Sequence, residues 1–176
     1  MYRMRNAPSN SLRKEPLFTA LDQTDFVILG ALQNNARLSN KELAAKAGLA
    51  PSSCLVRFRK LVEAKALRGF YADVDLGALG INLQAIISVR LVKHSRARFR
   101  SLYSYTHRLP EVLQVFQVSG KNDLLLHVAV RDVGHLRDLI VDGLAARPEV
   151  AQCESSVIFS QFRQTRLPRY SGPVRR

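Results

Sequence analysis

The chain has 176 residues, of which 47% are hydrophobic, and it carries 27 basic against 14 acidic residues. This composition is sufficient for a folded core. The sequence contains no run of about 18 apolar residues that would indicate a membrane span. Its two cysteines match no metal or redox spacing, so we expect two ordinary thiols in a reducing cytoplasm.

The net charge of +13 is distributed unevenly along the chain. Residues 1–20 carry +3, residues 21–68 carry +4 and residues 160–176 carry +5, whereas residues 69–159 carry only +1. A basic end on a nearly neutral body indicates that one module binds a polyanion, although basic tails are also often merely solvated. Because no long apolar stretch follows the N-terminus, we expect a basic, disordered extension there and not a signal peptide. A second basic tail is expected at 161–176.

Residues 21–68 predict three short helices. In LDQTDFVILGALQNN, apolar residues recur at helical spacing, and Asp22 or Thr24 can cap the first turn. The next helix begins with a capping-box pattern, in which Ser39 is followed three residues later by Glu42.

The third helix follows a turn at Gly48, since glycine takes the left-handed conformation without a Cβ penalty. Pro51 suits the first turn of this helix. We expect its inward stripe to consist of Leu55, Phe58, Leu61 and Val62. The outward face then carries Ser52, Ser53, Val56, Arg57 and Lys60, with Arg59 at its edge.

This succession of helices is typical of a helix-turn-helix. In the DNA-binding version, the N-terminal residues of the third helix reach base edges, and cations neutralise phosphates. We therefore predict DNA contacts by Ser39, Asn40, Ser52, Ser53, Val56, Arg57, Arg59 and Lys60. The alternative is a three-helix bundle with a solvated cationic face. After the third helix, ALRGFYADVD (66–75) predicts a strand that leaves the module and could form a small wing.

Residues 81–160 predict a second module with the order β-α-β-β-α-β, the ferredoxin-like split motif. This motif gives an antiparallel sheet with two helices on one face, and the whole chain is then of the α+β class. The predicted elements are a strand at 81–93, a helix at 95–109, strands at 111–120 and 121–132, a helix at 134–148 and a strand at 149–162.

The face of the sheet away from the helices is too apolar for water, because it carries Ile86 and Val92. Such a face suggests burial against another subunit, so we predict a dimer through the sheets. The alternative is a helix or tail of the same chain that covers it.

The segment SGKND (119–123) connects the two middle strands. It is typical of a hairpin turn, because Gly and Asn-Asp tolerate positive φ. It could also be a small-ligand loop, in which turn amides hold a carboxylate and Asp123 pairs with an ammonium group.

With its two modules in this order, the chain resembles the Lrp/AsnC family of bacterial and archaeal transcription regulators. The resemblance covers about residues 21–160 and is carried by residues 21–75 and by VSGKNDLLLHV (118–128). The positions that match the family pattern are Asp25, Leu38, Ser39, Glu42, Leu43, Ala44, Gly48, Leu49, Arg57, Leu61, Gly120 and Asp123.

The resemblance implies a winged helix-turn-helix at 21–68, a linker strand at 69–80 and a ferredoxin-like effector-binding and oligomerisation domain at 81–160. It implies a regulator that binds double-stranded DNA as a homodimer or a higher oligomer such as an octamer. Its implied location is the cytoplasm, in association with the nucleoid. By resemblance the effector is an amino acid, with no cofactor or metal. Asp123 would hold its amino group, and its carboxylate would lie near Ser119, Gly120, Lys121 and Asn122.

Three departures from the family pattern affect these expectations. Ala50 stands where the family usually has serine, so an N-cap side chain is missing and Ser52 would have to compensate. Lys65 stands where a helix-ending glycine is common. Lys121 and Leu124 also differ from relatives, and Lys121 adds a cation near the expected effector.

An enzyme, an RNA-binding protein and an amino-acid sensor that acts on a partner protein are the competing functions. A catalytic Cys54 would need a base, and all four histidines lie in the other module. RNA-binding sheets of this order stack bases on aromatic residues of the central strands, and DLLLHVAV contains none. A sensor without DNA does not require a basic first module.

Overall fold

The computed structural model describes residues 21–92 and 95–168. The predicted N-terminal extension (1–20) and residues 169–176 of the C-terminal tail lie outside the described residues. The chain divides into two compact units, whose described parts are residues 21–72 with 163–168 and residues 73–162. We call them the helical unit and the sheet unit.

The helical unit contains the three predicted helices, α1 (Gln23–Asn34), α2 (Asn40–Ala47) and α3 (Pro51–Glu63). Asp22 caps α1 and Ser39 caps α2, each in a reciprocal capping box. Gly48 ends α2 in the left-handed conformation, with φ 64°. The predicted start of α2 at Ser39 and its predicted end at Gly48 are confirmed. The missing cap of α3 is also confirmed, because no side chain hydrogen-bonds at its start.

Six buried residues form the core of the helical unit: Ile28, Leu32, Leu43, Ala44, Cys54 and Leu61. On α3 the buried residues are Cys54 and Leu61, whereas Val62 is 38% exposed. The inward position expected for Val62 is therefore wrong. The inward stripe of α3 is rotated toward Cys54, and this rotation also changes the position of Arg57.

The strand expected at 66–75 is not formed. These residues are largely exposed and pair with no strand in the described chain, and a short 3₁₀ turn follows at Gly77–Leu79. Phe70 stacks on Phe58 of α3, with ring centroids 6.3 Å apart. A strand needs a neighbour for its backbone N–H and C=O groups, and residues 66–80 have none. The expected wing and linker strand (69–80) are therefore absent from this part of the chain.

The sheet unit has the predicted β-α-β-β-α-β order. Its elements are β1 (Leu83–Leu91), α4 (Arg96–Thr106), β2 (Val112–Gln117), β3 (Leu124–Val130), α5 (Val133–Asp138), a π-helical continuation (Leu139–Ala145) and β4 (Val150–Val157). The sheet is antiparallel with strand order β2-β3-β1-β4. This arrangement confirms the α+β class and the ferredoxin-like motif.

The inner face of the sheet forms most of the core of this unit. Ile87 and Val89 of β1 lie opposite Leu126 and Leu124 of β3, and all four side chains are fully buried. The two helical segments cover them with Leu102, Leu136, Leu139 and Leu144. Each such side chain contributes about 1.5–3 kcal/mol by leaving water.

Helix α4 ends three residues before the predicted end at 109. The hydroxyl of Thr106 donates to the carbonyl oxygen of Tyr103 at 2.9 Å, and Nδ1 of His107 lies 2.8 Å from the same oxygen. These side chains occupy an acceptor at the end of the helix, and such local bonds compete with a further helical turn.

Candidate DNA-binding face and effector loop

Helix α3 presents a continuous exposed face. The residues of this face are Ser52, Ser53, Val56, Arg59 and Lys60. Within the described part of the chain, these five side chains have no hydrogen bond or ion pair, and Val56 is 52% exposed. Small polar groups therefore occupy the N-terminal end and cations the middle, an arrangement that suits a major groove flanked by phosphates.

Arg57 does not belong to this face. One of its terminal nitrogens lies 2.6 Å from a carboxylate oxygen of Asp22 and 2.9 Å from one of Asp25. Its side chain is 35% exposed, and its guanidinium links α3 to the first turn of α1. A contact between Arg57 and DNA stays a prediction, and it would have to compete with these two ion pairs.

The ion pairs also affect the charge of the carboxylates. The backbone N–H of Asp25 is the main group that lowers the pKa of Asp22, and the Arg57 guanidinium lowers it further. The two aspartates in turn raise the pKa of Arg57. Asp22 and Arg57 are therefore charged at neutral pH, and the Arg57 contacts to Asp22 and Asp25 link α3 to the first turn of α1.

Ser39 and Asn40 are engaged in local structure. The Ser39 hydroxyl donates to Glu42 at 2.7 Å, and this bond is the main reason that the pKa of Glu42 is lowered. The side-chain amide of Asn40 donates to the carbonyl oxygen of Pro51 at 2.8 Å. These bonds fix the start of α2 and tie it to the start of α3, while DNA contacts by both residues stay predictions.

Residues 119–123 form the predicted hairpin connection between β2 and β3. The N–H of Val118 donates to the carbonyl oxygen of Asp123 at 3.1 Å, and Gly120 has φ 116°. A side chain at Gly120 would be strained in this conformation. The turn is confirmed, and the ligand-loop interpretation is compatible with it.

Asp123 anchors this loop to β1. Its carboxylate accepts a hydrogen bond from the N–H of Leu91 at 2.8 Å, and its own N–H donates to the carbonyl oxygen of Val89 at 2.9 Å. The sequence offered no signal for these contacts, because they depend on the pairing of β1 and β3. Asp123 therefore has a structural role, because it fixes the loop to β1. Its contact with an effector stays a prediction.

Lys121 lies beside a polar row on β4. Its ammonium nitrogen is 3.4 Å from Glu154, which also accepts from Gln152 at 2.8 Å. Gln152 in turn accepts from Arg90 of β1 at 2.6 Å. Glu154 therefore places a carboxylate near the expected effector loop, and its partners become visible only with the strand register.

The outer face of the sheet has an apolar centre and polar edges. Ile86 and Leu125 are half-buried there, and Phe116 is 46% exposed. Opposite Ile86 on the central strands, His127 lies 3.0 Å from the side-chain oxygen of Gln84, and burial lowers the pKa of His127. The imidazole is therefore neutral near pH 7. Dimerisation through this face stays a prediction.

Both cysteines carry free thiols, and Cys153 is half-buried. Cys54 is fully buried, and burial raises the pKa of its thiol. Among residues 21–92 and 95–168, no group of three or more His, Cys, Asp or Glu side chains could hold a metal ion. In the same residues, no helix is both long and apolar enough to cross a membrane.

Two family descriptions match the chain, one for each unit. The AsnC-type helix-turn-helix domain matches residues 21–62, and the Lrp/AsnC ligand-binding domain matches residues 84–168.

Curated relatives match most of the chain. The HTH-type transcriptional regulator AldR of Mycolicibacterium smegmatis is 43% identical over 143 residues, covering 81% of this chain and 84% of the relative. The leucine-responsive regulatory protein of Escherichia coli is 30% identical over 82% of this chain and 88% of its own length.

Solved structures share the fold. A transcriptional regulator of Neisseria meningitidis in complex with L-Met aligns with a TM-score of 0.80 and 31% identity, over 85% of this chain and 97% of that one. AsnC of Escherichia coli aligns with a TM-score of 0.75 and 25% identity, over 82% and 97%. The chain therefore belongs to the Lrp/AsnC family of DNA-binding transcriptional regulators with a ligand-binding domain.

Proposed function

We propose that this protein is a sequence-specific DNA-binding regulator whose assembly or DNA binding is modulated by a small effector, an amino acid. The observation that carries the proposal is the exposed face of α3. Its polar and cationic side chains are exposed and have no partner within the described residues. The ion pairs of Arg57 with Asp22 and Asp25 fix the helix against α1. Such a face reads bases with its N-terminal residues and neutralises phosphates with its cations.

The effector part of the proposal rests on the loop at 119–123. The loop combines a glycine that lets a ligand approach the backbone, the carboxylate of Asp123 and the exposed ammonium group of Lys121. Opposite charges at one loop suit a zwitterion such as an amino acid. The ligand-binding domain that matches this region and the L-Met complex of the Neisseria regulator support this assignment.

The assembly part rests on the outer face of the sheet. Its centre of Ile86, Leu125 and Phe116 is partly exposed to solvent in the single chain. We propose that a second copy covers it in a homodimer, and that dimers associate further, up to an octamer. The protein would act in the cytoplasm, associated with the nucleoid.

A genome-wide binding map, followed by gel-shift titration on a site it identifies, tests the DNA role. The double substitution Arg59→Ala/Lys60→Ala should weaken binding at least tenfold, because each lost base or phosphate contact costs about 1–3 kcal/mol. The control Arg37→Ala/Lys46→Ala removes the same charge from the helical unit outside α3. Equal loss in both pairs, or no mapped sites, would contradict the proposal.

Isothermal titration calorimetry with a panel of L-amino acids tests the effector role. Asp123→Asn is the suitable variant, because its amide oxygen can still accept from Leu91. We expect at least tenfold weaker binding of the ligand found for the parent protein, with ligand-free DNA binding retained. Asp142→Asn, which changes an exposed carboxylate elsewhere in the sheet unit, serves as the control. Equal ligand affinity in the Asp123 variant would remove its assigned role.

A further inference from the structure

The near-neutral charge of the sheet unit conceals a strongly basic segment. The sequence contains no acidic residue between Asp75 and Glu111. The same stretch contains six basic residues: Arg90, Lys93, Arg96, Arg98, Arg100 and Arg108. Four of these six arginines and lysines lie on α4 or directly after it.

The packing of α4 turns several of these cations to solvent. The helix buries Leu102 and Thr106, so its opposite side faces away from the sheet. Arg96, Arg100 and Arg108 are exposed there, and Arg98 is half-buried. Because an α-helix rises 1.5 Å per residue, Arg96 and Arg100 are separated by about 6 Å along the axis.

These exposed guanidinium groups have no internal partner. Within residues 21–92 and 95–168, Arg96, Arg100 and Arg108 make no side-chain hydrogen bond or ion pair. By contrast, Arg57 is bound by two aspartates, and Arg147 lies 3.1 Å from Glu149. The fold therefore uses other arginines as structural ion pairs and leaves those of α4 available.

The position of the cations also opposes local helix stability. The first turn of α4 contains Arg96 and Arg98 and no acidic residue, whereas Asp25 and Glu42 occupy the first turns of α1 and α2. Cations near a helix N-terminus interact unfavourably with its dipole. Unfavourably placed cations that no other contact of the fold compensates are typical of a functional surface.

We propose that the exposed side of α4 is a second DNA-binding surface, which neutralises backbone phosphates and reads no sequence. The proposal rests on the DNA binding proposed above, because DNA held by α3 presents phosphates at high local concentration to the rest of the assembly. The neighbouring exposed residues, Ala97 and Ser104, are small. A protein partner would require large apolar anchors, and the exposed ring beside these cations is the polar imidazole of His107, so phosphates are the better match.

The salt dependence of DNA binding tests this surface. The probe is a fluorescein-labelled duplex of mixed sequence, titrated with full-length protein at several NaCl concentrations and followed by fluorescence anisotropy. The double substitution Arg96→Gln/Arg100→Gln should weaken binding and flatten the slope of log K against log[NaCl] by up to about 1.8, since each phosphate contact contributes about 0.9. Glutamine retains good helix propensity, and circular dichroism checks that the fold is intact.

The control is Arg131→Gln/Arg137→Gln, which removes two exposed cations from the same unit outside α4, of which Arg137 is paired with Asp138. The parent slope should persist in this control. The proposal is overturned if both pairs flatten the slope equally, because net charge alone would then explain the effect. It is also overturned if the α4 pair retains the parent slope but loses binding to polyglutamate, which would identify an acidic protein as the occupant. A parent protein that binds no DNA would refute the proposed function itself.

Discussion

The helical unit and the sheet unit are stabilised in different ways. Six buried side chains form the core of the helical unit, whereas twelve form that of the sheet unit. The smaller core is supplemented by polar contacts at helix ends, namely two capping boxes, the Arg57 ion pairs and the bond from Asn40 to Pro51. The helical unit thus combines a small apolar core with polar contacts at its helix ends, while the sheet unit has the larger apolar core.

This difference has a consequence for the recognition helix. Helix α3 lacks a side-chain cap, and besides its buried Cys54 and Leu61 it is held by contacts of Arg57 and of the carbonyl oxygen of Pro51. Polar contacts have specific geometry, and partly exposed ones contribute little free energy. They can therefore fix the direction of a helix without making the unit rigidly stable. The loop at 119–123, in contrast, precedes β3, which carries several of the most buried side chains among the described residues.

The largest expected effect comes from the apolar core of the sheet unit. Leu126 is fully buried at the centre of the sheet. Leu126→Ala should lower the free energy of unfolding by about 2–5 kcal/mol, because it removes apolar contacts and leaves a cavity. Urea unfolding followed by circular dichroism measures this loss. The control Leu79→Ala changes a leucine that is 62% exposed and should stay within about 0.5 kcal/mol of the parent. A loss below about 1 kcal/mol for Leu126→Ala would contradict the apolar account.

A smaller effect of opposite sign is expected after α3. Lys65 has φ 59°, a left-handed conformation that costs a non-glycine residue about 1–2 kcal/mol. Lys65→Gly should therefore stabilise the helical unit by roughly 1 kcal/mol, after allowance for the greater freedom of glycine when unfolded. Thermal unfolding monitored by calorimetry measures this gain. The same change at Lys60, inside α3, should instead destabilise by about 0.5–1 kcal/mol. Loss of stability in both variants would show that the strain at Lys65 is not relieved by glycine.

The sequence predicted helices and strands whose apolar residues recur at regular spacing. It failed for segments whose structure depends on a partner that is distant in the sequence. The order of helices and strands follows from the spacing of apolar residues and from caps such as Ser39 and Gly48. The strand at 66–75 was not predictable in this way, because alternation cannot show whether a neighbouring strand exists to receive its hydrogen bonds. Lys65 was recognisable from the sequence as a lysine in a position typical of glycine, and its positive φ agrees with that expectation.

Arg57 shows how a small error in a helical stripe changes a functional assignment. A stripe of Leu55, Phe58, Leu61 and Val62 directs Arg57 outward. The buried residues of α3 are Cys54 and Leu61, and Arg57 lies three residues after the first and four before the second. Its side chain is 35% exposed, and a partly buried guanidinium is stabilised by a carboxylate partner. Asp22 and Asp25 supply it, but only the packing of α1 against α3 brings them together.

The smallest expected effect concerns the pH dependence of this ion-paired cluster. The pKa of Asp22 in the folded protein lies below its ordinary value of 3.8, mainly because its carboxylate accepts from the N–H of Asp25. A carboxyl group with a lowered pKa stabilises the fold at pH values above its unfolded pKa, and this contribution is lost as the pH falls through the folded pKa. Acidification below about pH 4 should therefore destabilise the helical unit.

The variant Asp22→Asn separates the charge from the cap, because asparagine is an equally good N-cap residue. Its melting temperature should lie slightly below that of the parent at pH 7, and the difference should shrink at pH 2.5, because Asp22 of the parent loses its charge as the pH falls through its lowered pKa. The difference is small because Asp22 and Arg57 are both partly exposed to water. Asp73→Asn, at an exposed carboxyl outside the cluster, should show no such pH-dependent difference. If Asp22→Asn lowered the melting temperature equally at both pH values, the Asp22 charge would not hold α3 against α1, and its cap alone would explain the loss.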